Sequence, residues 1–529
     1  MKALFLSLAL TVCSSATFAQ ATAPAIDWQH SLGGSEDDQA YAIQQTSDGG
    51  YIAAGLSYSA DGIFSPHNGD ATTADAWLVK FNAAGEQQWK TIFGGSDDDQ
   101  ALDIKPTSDG GYIMAGTSAS IDGSITDNHG SYDLWLVKLS SNGQISWSKT
   151  YGGTDDDGGY SVQQTTDGGY IVAGYSSSSN LDVTSPKGDY DAWVVKVSSA
   201  GALQWQKSFG GTKADNGYSI QPTKDGGYVI GATSASTDGD VTGHHGNNTT
   251  TDIWVIKITS EGVLQWQKSL GGSLDETVST VRQSADNGYI VCGAAQSRDG
   301  DVDHHNGGAN LTDGWIVKLN ATAELQWESV RGGSDVDVFN DVSETSEGTY
   351  VVVGSTASSD GDITSNHGIN DVWLVQISAQ GGLSWQMCYG GVDDDQGLYL
   401  SPCSDGGYAV AGISGLVSGD VTSNNDGADA WIIKFKKPAA NSVIPENRFN
   451  RVSLYPNPAQ TSITISLPAD LWQTYQKITI YNALAQPVLC VPVSGAQFEL
   501  WVSTLPAGYY HYTIEGADGA NSGGSLIIR

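Results

Sequence analysis

The sequence predicts an all-β chain: a seven-bladed β-propeller closed by its N-terminal strand, followed by a small C-terminal β-sandwich. Three observations predict it. Tryptophans Trp28, Trp89, Trp147, Trp205, Trp266, Trp327 and Trp385 recur at spacings of 58 or 61 residues, and a fixed period marks a repeat architecture. Each unit reads as four short strands with no helical stretch between them. The two ends of the repeated region are offset: Asp27–Gly34 resembles a fourth strand alone, whereas the last unit stops after its third strand, Ala430–Lys436.

The strands follow one another in the same order in every unit. Leu102 to Thr107 alternates apolar and polar residues, Ser108-Asp109-Gly110-Gly111 turns the chain, and Tyr112-Ile113-Met114-Ala115-Gly116 resumes as a strand. Glycine is needed at that junction because tight hairpin turns take positive φ. The motif varies mainly at Asn287 and at Glu347-Gly348-Thr349. A long polar loop leads to Asp133-Leu134-Trp135-Leu136-Val137-Lys138, then a turn at Ser141-Asn142-Gly143 and the fourth strand at Ile145-Ser146-Trp147. Runs such as Trp254-Val255-Ile256 are apolar without alternation, as expected of strands packed on both faces. The recurring tryptophans are therefore expected between blades.

The offset of the ends predicts how the ring shuts. Seven fourth strands and seven sets of strands one to three are present, so the N-terminal strand completes the last blade and leaves no open sheet edge. The propeller is expected over residues 26–437, with a linker at 438–447.

Composition restricts the class of ligand. The chain of 529 residues carries 59 acidic against 24 basic side chains, a formal charge of −35. Such a surface repels phosphate backbones, which argues against nucleic acid, and it repels anionic membranes while attracting cations. Residues 1–19 read as a secretory signal peptide, with Lys2, an apolar run from Ala3 to Val12 and a cleavage site at Thr17-Phe18-Ala19. Cys13 lies behind a bulky Val12 and fits a lipoprotein box poorly. No other stretch is long and apolar enough for a membrane helix. Cys292, Cys388, Cys403 and Cys490 have neither a repeat nor a metal spacing and are expected as isolated thiols.

After the linker the sequence changes to Tyr455-Pro456-Asn457-Pro458-Ala459, Ile478-Thr479-Ile480-Tyr481-Asn482 and Leu505-Pro506-Ala507-Gly508-Tyr509, and ends in an apolar strand closed by Arg529. In order and position these motifs resemble the C-terminal sorting domain of the bacterial type IX secretion system, over residues 448–529. Gly523-Gly524-Ser525 departs from the family, which usually has a lysine before the last strand. The resemblance implies export across the outer membrane of a Bacteroidota-type cell, handling by the type IX machinery, and release or attachment at the surface. The repeats are similar to uncharacterised propeller-type repeats of surface proteins in such bacteria, which implies location and not activity.

Candidate chemistry falls on two loop types expected to share one face of the ring. The loops into strand one hold an acid four places after Gly-Gly: Asp38, Asp99, Asp157, Asp215, Glu276, Asp337 and Asp395. The loops into strand three end in Asp75, Asp133, Asp191, Asp252, Asp313, Asp371 and Asp429. Converging carboxylates are what Ca2+ takes, with six to eight oxygens, so calcium bridging the two loop types is expected; the competing reading has each Asp capping its own turn. His67, His129, His244, His245, His304, His305 and His367 lie in the same loops. Imidazole beside carboxylate is zinc chemistry, but the recurring His-Gly and Asn-Gly pairs read as turns. The ring's arginines, Arg282, Arg298 and Arg331, all belong to one unit, where with His304 and His305 they form a candidate positive spot for an anionic group.

These features favour a secreted or surface-anchored protein that acts by binding a glycan, matrix or another surface protein. The alternative is a carbohydrate-active enzyme, a hydrolase or lyase using the acidic loop face. A purely structural surface-layer role ranks third.

Overall fold

The computed structural model describes residues 23–438, apart from 70–71, 304 and 309–310, and, towards the C-terminus, 453–455, 459, 461–467, 475–482, 487–503, 505–516 and 521–528. The expected signal peptide, the linker beyond Pro438 and His304 lie outside the described residues.

Seven four-stranded antiparallel sheets make up residues 22–439. Blade one consists of Asp38–Gln45, Tyr51–Ser57, Asp75–Phe81 and Gln87–Phe93. The first strands of blades two to six start at Asp99, Asp157, Asp215, Glu276 and Asp337. Blade seven takes Gln396–Pro402, Tyr408–Ser414 and Asp429–Phe435, and its fourth strand is Ile26–Leu32. Trp28 pairs with Lys434 and Leu32 with Ala430, so the ring is closed as the offset of its ends predicts. The indole of Trp431 also donates to Gln29 Oε1 at 2.9 Å.

First strands of successive blades touch all the way round, including blade seven to blade one, and so line the axis. Second and third strands are buried on both faces because a blade is covered on each side by its neighbours. Ile113, Ala115, Leu134 and Leu136 of blade two pack with Val162, Val172, Trp193 and Val195 of blade three in one apolar layer. Trp77, Trp135, Trp193, Trp254, Trp315, Trp373 and Trp431, one on each third strand, are fully buried there.

The period-marking tryptophans behave differently. They sit half-buried on fourth strands, apart from the buried Trp385, and several lie over a turn glycine of the next blade. A Cβ on Gly85 would be 2.7 Å from the Trp28 ring, and one on Gly143 would be 2.7 Å from Trp89. Both glycines also have φ near +80°, so conformation and contact each demand glycine.

A second repeated device ties the Asp-Gly-Gly-Tyr turn to the third strand. Lys138 donates to the carbonyl of Leu139 at 2.9 Å and pairs with Asp109 at 3.0 Å. Lys80–Asp48, Lys196–Asp167, Lys257–Asp225, Lys318–Asp286 and Lys434–Asp405 repeat the arrangement. In blade six the turn reads Glu347-Gly348-Thr349 and the lysine is replaced by Gln376, which donates to Thr349 Oγ1 at 2.9 Å.

The C-terminal part forms a three-stranded sheet (Ser453–Tyr455, Ser462–Ser466, Gln497–Trp501) and a four-stranded sheet (Pro487–Pro492, Tyr475–Tyr481, Gly508–Gly516, Asn521–Ile528). Ile463, Ile465, Ile478, Ile480, Leu500 and Tyr512 contribute to one apolar core, as expected of a sandwich.

Candidate functional site

Loops into strand one and loops into strand three meet on one face of the ring. Ile63 N–H donates to the carbonyl of Gly33, and Ser35 N–H donates to Asp61 Oδ1 at 2.8 Å. Ser124 and Gly94, Asp240 and Gly210, and Asp362 and Gly332 repeat the backbone contact in other blades. The two loops are therefore one hydrogen-bonded layer around the ring.

Beneath that layer the acids of the repeat come together in pairs across the blade seams. Asp133 of blade two faces Asp157 of blade three across Gly152: a Cβ there would be 2.4 Å from Asp133 Oδ1 and 2.6 Å from Asp157 Oδ2. Asp38 with Asp429, Asp99 with Asp75, Asp215 with Asp191, Glu276 with Asp252, Asp337 with Asp313 and Asp395 with Asp371 flank the equivalent glycines. All fourteen are buried. The first-strand acid is the better served: Asp99 Oδ2 accepts from Gly95 N–H at 2.6 Å and Ser120 Oγ at 2.8 Å and its Oδ1 from Ser118 Oγ, although Oδ1 of Asp38 and of Asp157 is buried without a hydrogen bond. The third-strand acid uses one oxygen, Asp133 Oδ2 accepting from His129 N–H at 2.8 Å. Its other oxygen is buried without a hydrogen bond, as are those of Asp191, Asp252, Asp313, Asp371 and Asp429.

Burial, reinforced by the facing carboxylate, pushes Asp38, Asp99, Asp133, Asp191, Asp337 and Asp395 up to about 6. Burial likewise pushes Asp429 up to about 6 and raises Asp75, Asp157, Asp215, Asp252, Glu276, Asp313 and Asp371. A calcium shell needs six to eight oxygens. Most oxygens here are occupied by N–H and O–H donors, and among the described residues no group of three or more His, Cys, Asp or Glu is arranged to hold a metal ion. Imidazoles lie against the third-strand acids: Nδ1 of His67, His129, His245 and His367 is 3.1, 3.0, 3.0 and 2.7 Å from Asp75, Asp133, Asp252 and Asp371.

The arginines have separate settings. Arg282 points into the axial bore and pairs with Asp341 at 2.9 Å. Arg298 donates to the carbonyl of Gly307 within its own loop, and Arg331 lies 3.8 Å from Asp362 of blade six. His305 is buried with Nδ1 3.8 Å from Asp313. Each of the three arginines thus faces a protein acceptor, whereas both ring nitrogens of His305 are buried without a hydrogen bond.

The bore is crossed by a polar network. Lys105 donates to Asp103 Oδ1 and Tyr399 Oη at 2.6 Å, and Gln44 donates to the same phenol at 2.7 Å. Asp103 accepts from Val162 N–H at 2.9 Å and Asp341 from Leu400 N–H at 3.1 Å. A cavity of about 110 Å³ remains among these side chains.

Above it, a cleft of about 330 Å³ is lined by Tyr132, Asp156, Tyr160, Tyr175, Tyr190, Asn216 and Tyr218. Every first strand carries a β-bulge, and Tyr160 and Tyr218 are the unpaired residues of two of them. A bulge re-aims its side chain, and both rings also border the bore. Tyr160 stacks on Tyr218 with centroids 5.1 Å apart; Tyr175 lies 5.5 Å from Tyr160, and Tyr190 5.8 Å from Tyr175. Tyr190 Oη donates to Asp156 Oδ2 at 3.4 Å. The cleft was not anticipated from the sequence. Aligning the copies gives the signal: the bulge position reads Tyr41, Leu102, Tyr160, Tyr218, Ser279, Asn340, Leu398 round the ring.

Residues 453–529 match the family of secretion system C-terminal sorting domains. The class follows from this tail together with the propeller: a propeller protein of the secreted or outer-cell-surface kind, carrying the sorting tail of type IX secretion. Over 351 residues the chain is 25% identical to the regulatory protein FlaEY of Caulobacter vibrioides, covering 58% of this chain and 35% of that protein. The chain thus spans about a third of the length of that curated relative. PorZ, an essential bacterial surface component of the type-IX secretion system of Porphyromonas gingivalis, aligns at TM-score 0.40 with 11% identity, over 94% of this chain and 60% of its own. The Neurospora crassa Pan2 WD40 domain aligns at 0.42 with 11% identity, over 77% and 98%. At these values neither structural likeness carries a functional argument. No helix among the described residues is long and apolar enough to cross a membrane.

Proposed function

We propose that this is a secreted or surface-held propeller that works by binding a glycan, matrix component or surface protein through its loop face. One observation carries the reading: the sevenfold pattern of that face is broken at a cleft where tyrosines from three neighbouring blades converge. The acids that repeat are buried under the loops and already hydrogen-bonded, so they support the face from below and are not presented to a substrate. Rigid aromatic rings offer contact area at little conformational cost, which suits recognition.

The test incubates the full chain with insoluble polysaccharides and immobilised matrix proteins, and measures both retention and release of soluble sugar. Saturable, reversible retention on at least one surface without release is expected. Release of soluble reducing ends would replace this reading with the carbohydrate-active enzyme, and retention on nothing would remove it.

A further inference from the structure

We infer that the tyrosine cleft at the mouth of the bore is a saccharide subsite for a neutral pyranose. This rests on the binding role proposed above and assigns its ligand class. The argument begins with the lining. Tyr160, Tyr175 and Tyr218 form a continuous stepped surface, each ring within 5.5 Å of the next. Tyr190 stands at 60° to Tyr175 and makes a side wall. The apolar C–H faces of a sugar ring fit such rings, and a phenol oxygen accepts from a sugar hydroxyl even where, as at Tyr132 and Tyr190, its own proton goes to Asp98 or Asp156.

The polar groups define the ligand further. Asp156 is acceptor-only when ionised, and Asn216 adds a carbonyl acceptor beside its amide donor. A ligand rich in O–H donors satisfies them; a proline-rich strand, the other common guest of aromatic grooves, has few N–H donors to give. Burial, with neighbouring phenols and carboxylates adding to it, pushes the hydroxyls of Tyr132 and Tyr160 up to about 12, so both remain uncharged at any physiological pH. Among the described residues no Lys or Arg lines the cleft, and Asp98 accepts from Tyr132 Oη at 2.9 Å just beside it. Uronates and sulfated sugars would therefore meet like charge without compensation. The rings already stack on one another, so little ordering remains to oppose binding.

The repeat supplies its own conservative variants. Other blades hold Leu102 at the position of Tyr160, Thr117 at that of Tyr175 and Thr251 at that of Tyr190, so Tyr160→Leu, Tyr175→Thr and Tyr190→Thr place residues the fold already uses there. The full chain and these variants, checked for unchanged unfolding midpoints, are titrated calorimetrically with β-1,4-linked oligomers of glucose, mannose, xylose and N-acetylglucosamine, with α-1,4-linked glucose oligomers, with oligouronates and with a proline-rich peptide. At least one neutral oligosaccharide is expected to bind, with affinity reduced ~10-fold or more by Tyr160→Leu and by Tyr190→Thr. Asp156→Asn is expected to weaken the same sugar and leave added salt without effect. Binding that survives the tyrosine variants, or a preference for oligouronate or peptide, overturns the assignment. If the chain is retained on a polysaccharide or matrix surface but takes up no neutral oligosaccharide, the sugar subsite fails and the binding role stands. If it is retained on nothing, both fall.

Discussion

Asp133 Oδ1 and Asp157 Oδ2 face each other over the Cα of Gly152, one from each of two adjoining blades. The same opposition occurs at every seam, so the ring stores a circle of buried, closely set carboxylates beneath its loop face. Two like charges in a buried setting cost free energy that is removed when one takes a proton.

Stability should consequently rise on mild acidification. The seam acids have folded pKa values raised above the ordinary 3.8, to about 6 at Asp38, Asp99 and Asp133. A raised carboxyl favours the folded state when protonated, so its contribution is present in acid and is lost as pH rises from about 4 through 6. The turn acids Asp48, Asp109, Asp167 and Asp225 are held down at about 2 by hydrogen bonds from Thr and backbone N–H and by their lysines. Their contribution is lost only as pH falls below about 4. Unfolding midpoints measured from pH 3 to 8 should peak at about pH 4–5. Asp133→Asn should raise the midpoint at pH 7.5 by about 2 °C and flatten the curve; a midpoint that climbs steadily to pH 8 would contradict the assignment.

Chelation gives an independent reading of the same seams. Because their oxygens are largely taken by N–H and O–H donors, EDTA is expected to leave the unfolding midpoint unchanged. A fall on chelation, restored by Ca2+ alone, would show instead that calcium occupies the orphan oxygens of Asp133 and its equivalents.

Two glycines in one hairpin should respond differently to alanine. A Cβ on Gly116 would lie 1.8 Å from the carbonyl oxygen of Gln100, which is backbone and has no freedom to give way. Gly116→Ala should cost about 3 kcal/mol or more in denaturant unfolding. At Gly110 nothing lies within 4 Å, so the cost is only that of a left-handed backbone, about 1–2 kcal/mol. Equal losses at both positions would contradict the bulge geometry.

Removing a buried lysine should cost more than its ion pair does. Lys138 is buried while Asp109 is largely exposed, so most of the loss comes from the buried donor to Leu139. Lys138→Met should destabilise by about 1.5–3 kcal/mol. Asp109→Asn should cost about 1 kcal/mol or less. Blade six, with Gln376 in place of the lysine, shows that the turn survives when both sides change together.

Deleting Ile26–Leu32 should open blade seven along Ala430–Phe435. Light scattering should then detect self-association, because an unpaired edge invites strand addition. A synthetic peptide of residues 24–34 should reverse it. A deleted chain that remains monomeric would show that closure is dispensable.

The ring was legible because its causes are local and repeated. Period, turn glycines and two-sided apolar strands each follow from one unit read seven times, and the offset of Asp27–Gly34 against Ala430–Lys436 gives closure by counting. The paired change of Glu347 and Gln376 likewise shows in the text, although only the structure reveals that turn and lysine touch. The loop acids could be enumerated, but not their depth: Asp133 reads as a loop-end carboxylate and is buried. Arg282 could be placed on a strand, but not inside the bore against Asp341 of the next blade.

The sequence by itself determined how many blades there are, how they join and that the chain is exported, since these depend on patterns along the chain. Tertiary structure decided what the loop face presents. A one-residue bulge sets where Tyr160 and Tyr218 point, and the meeting of three blades sets which rings they find. That is geometry between units, which no single unit encodes.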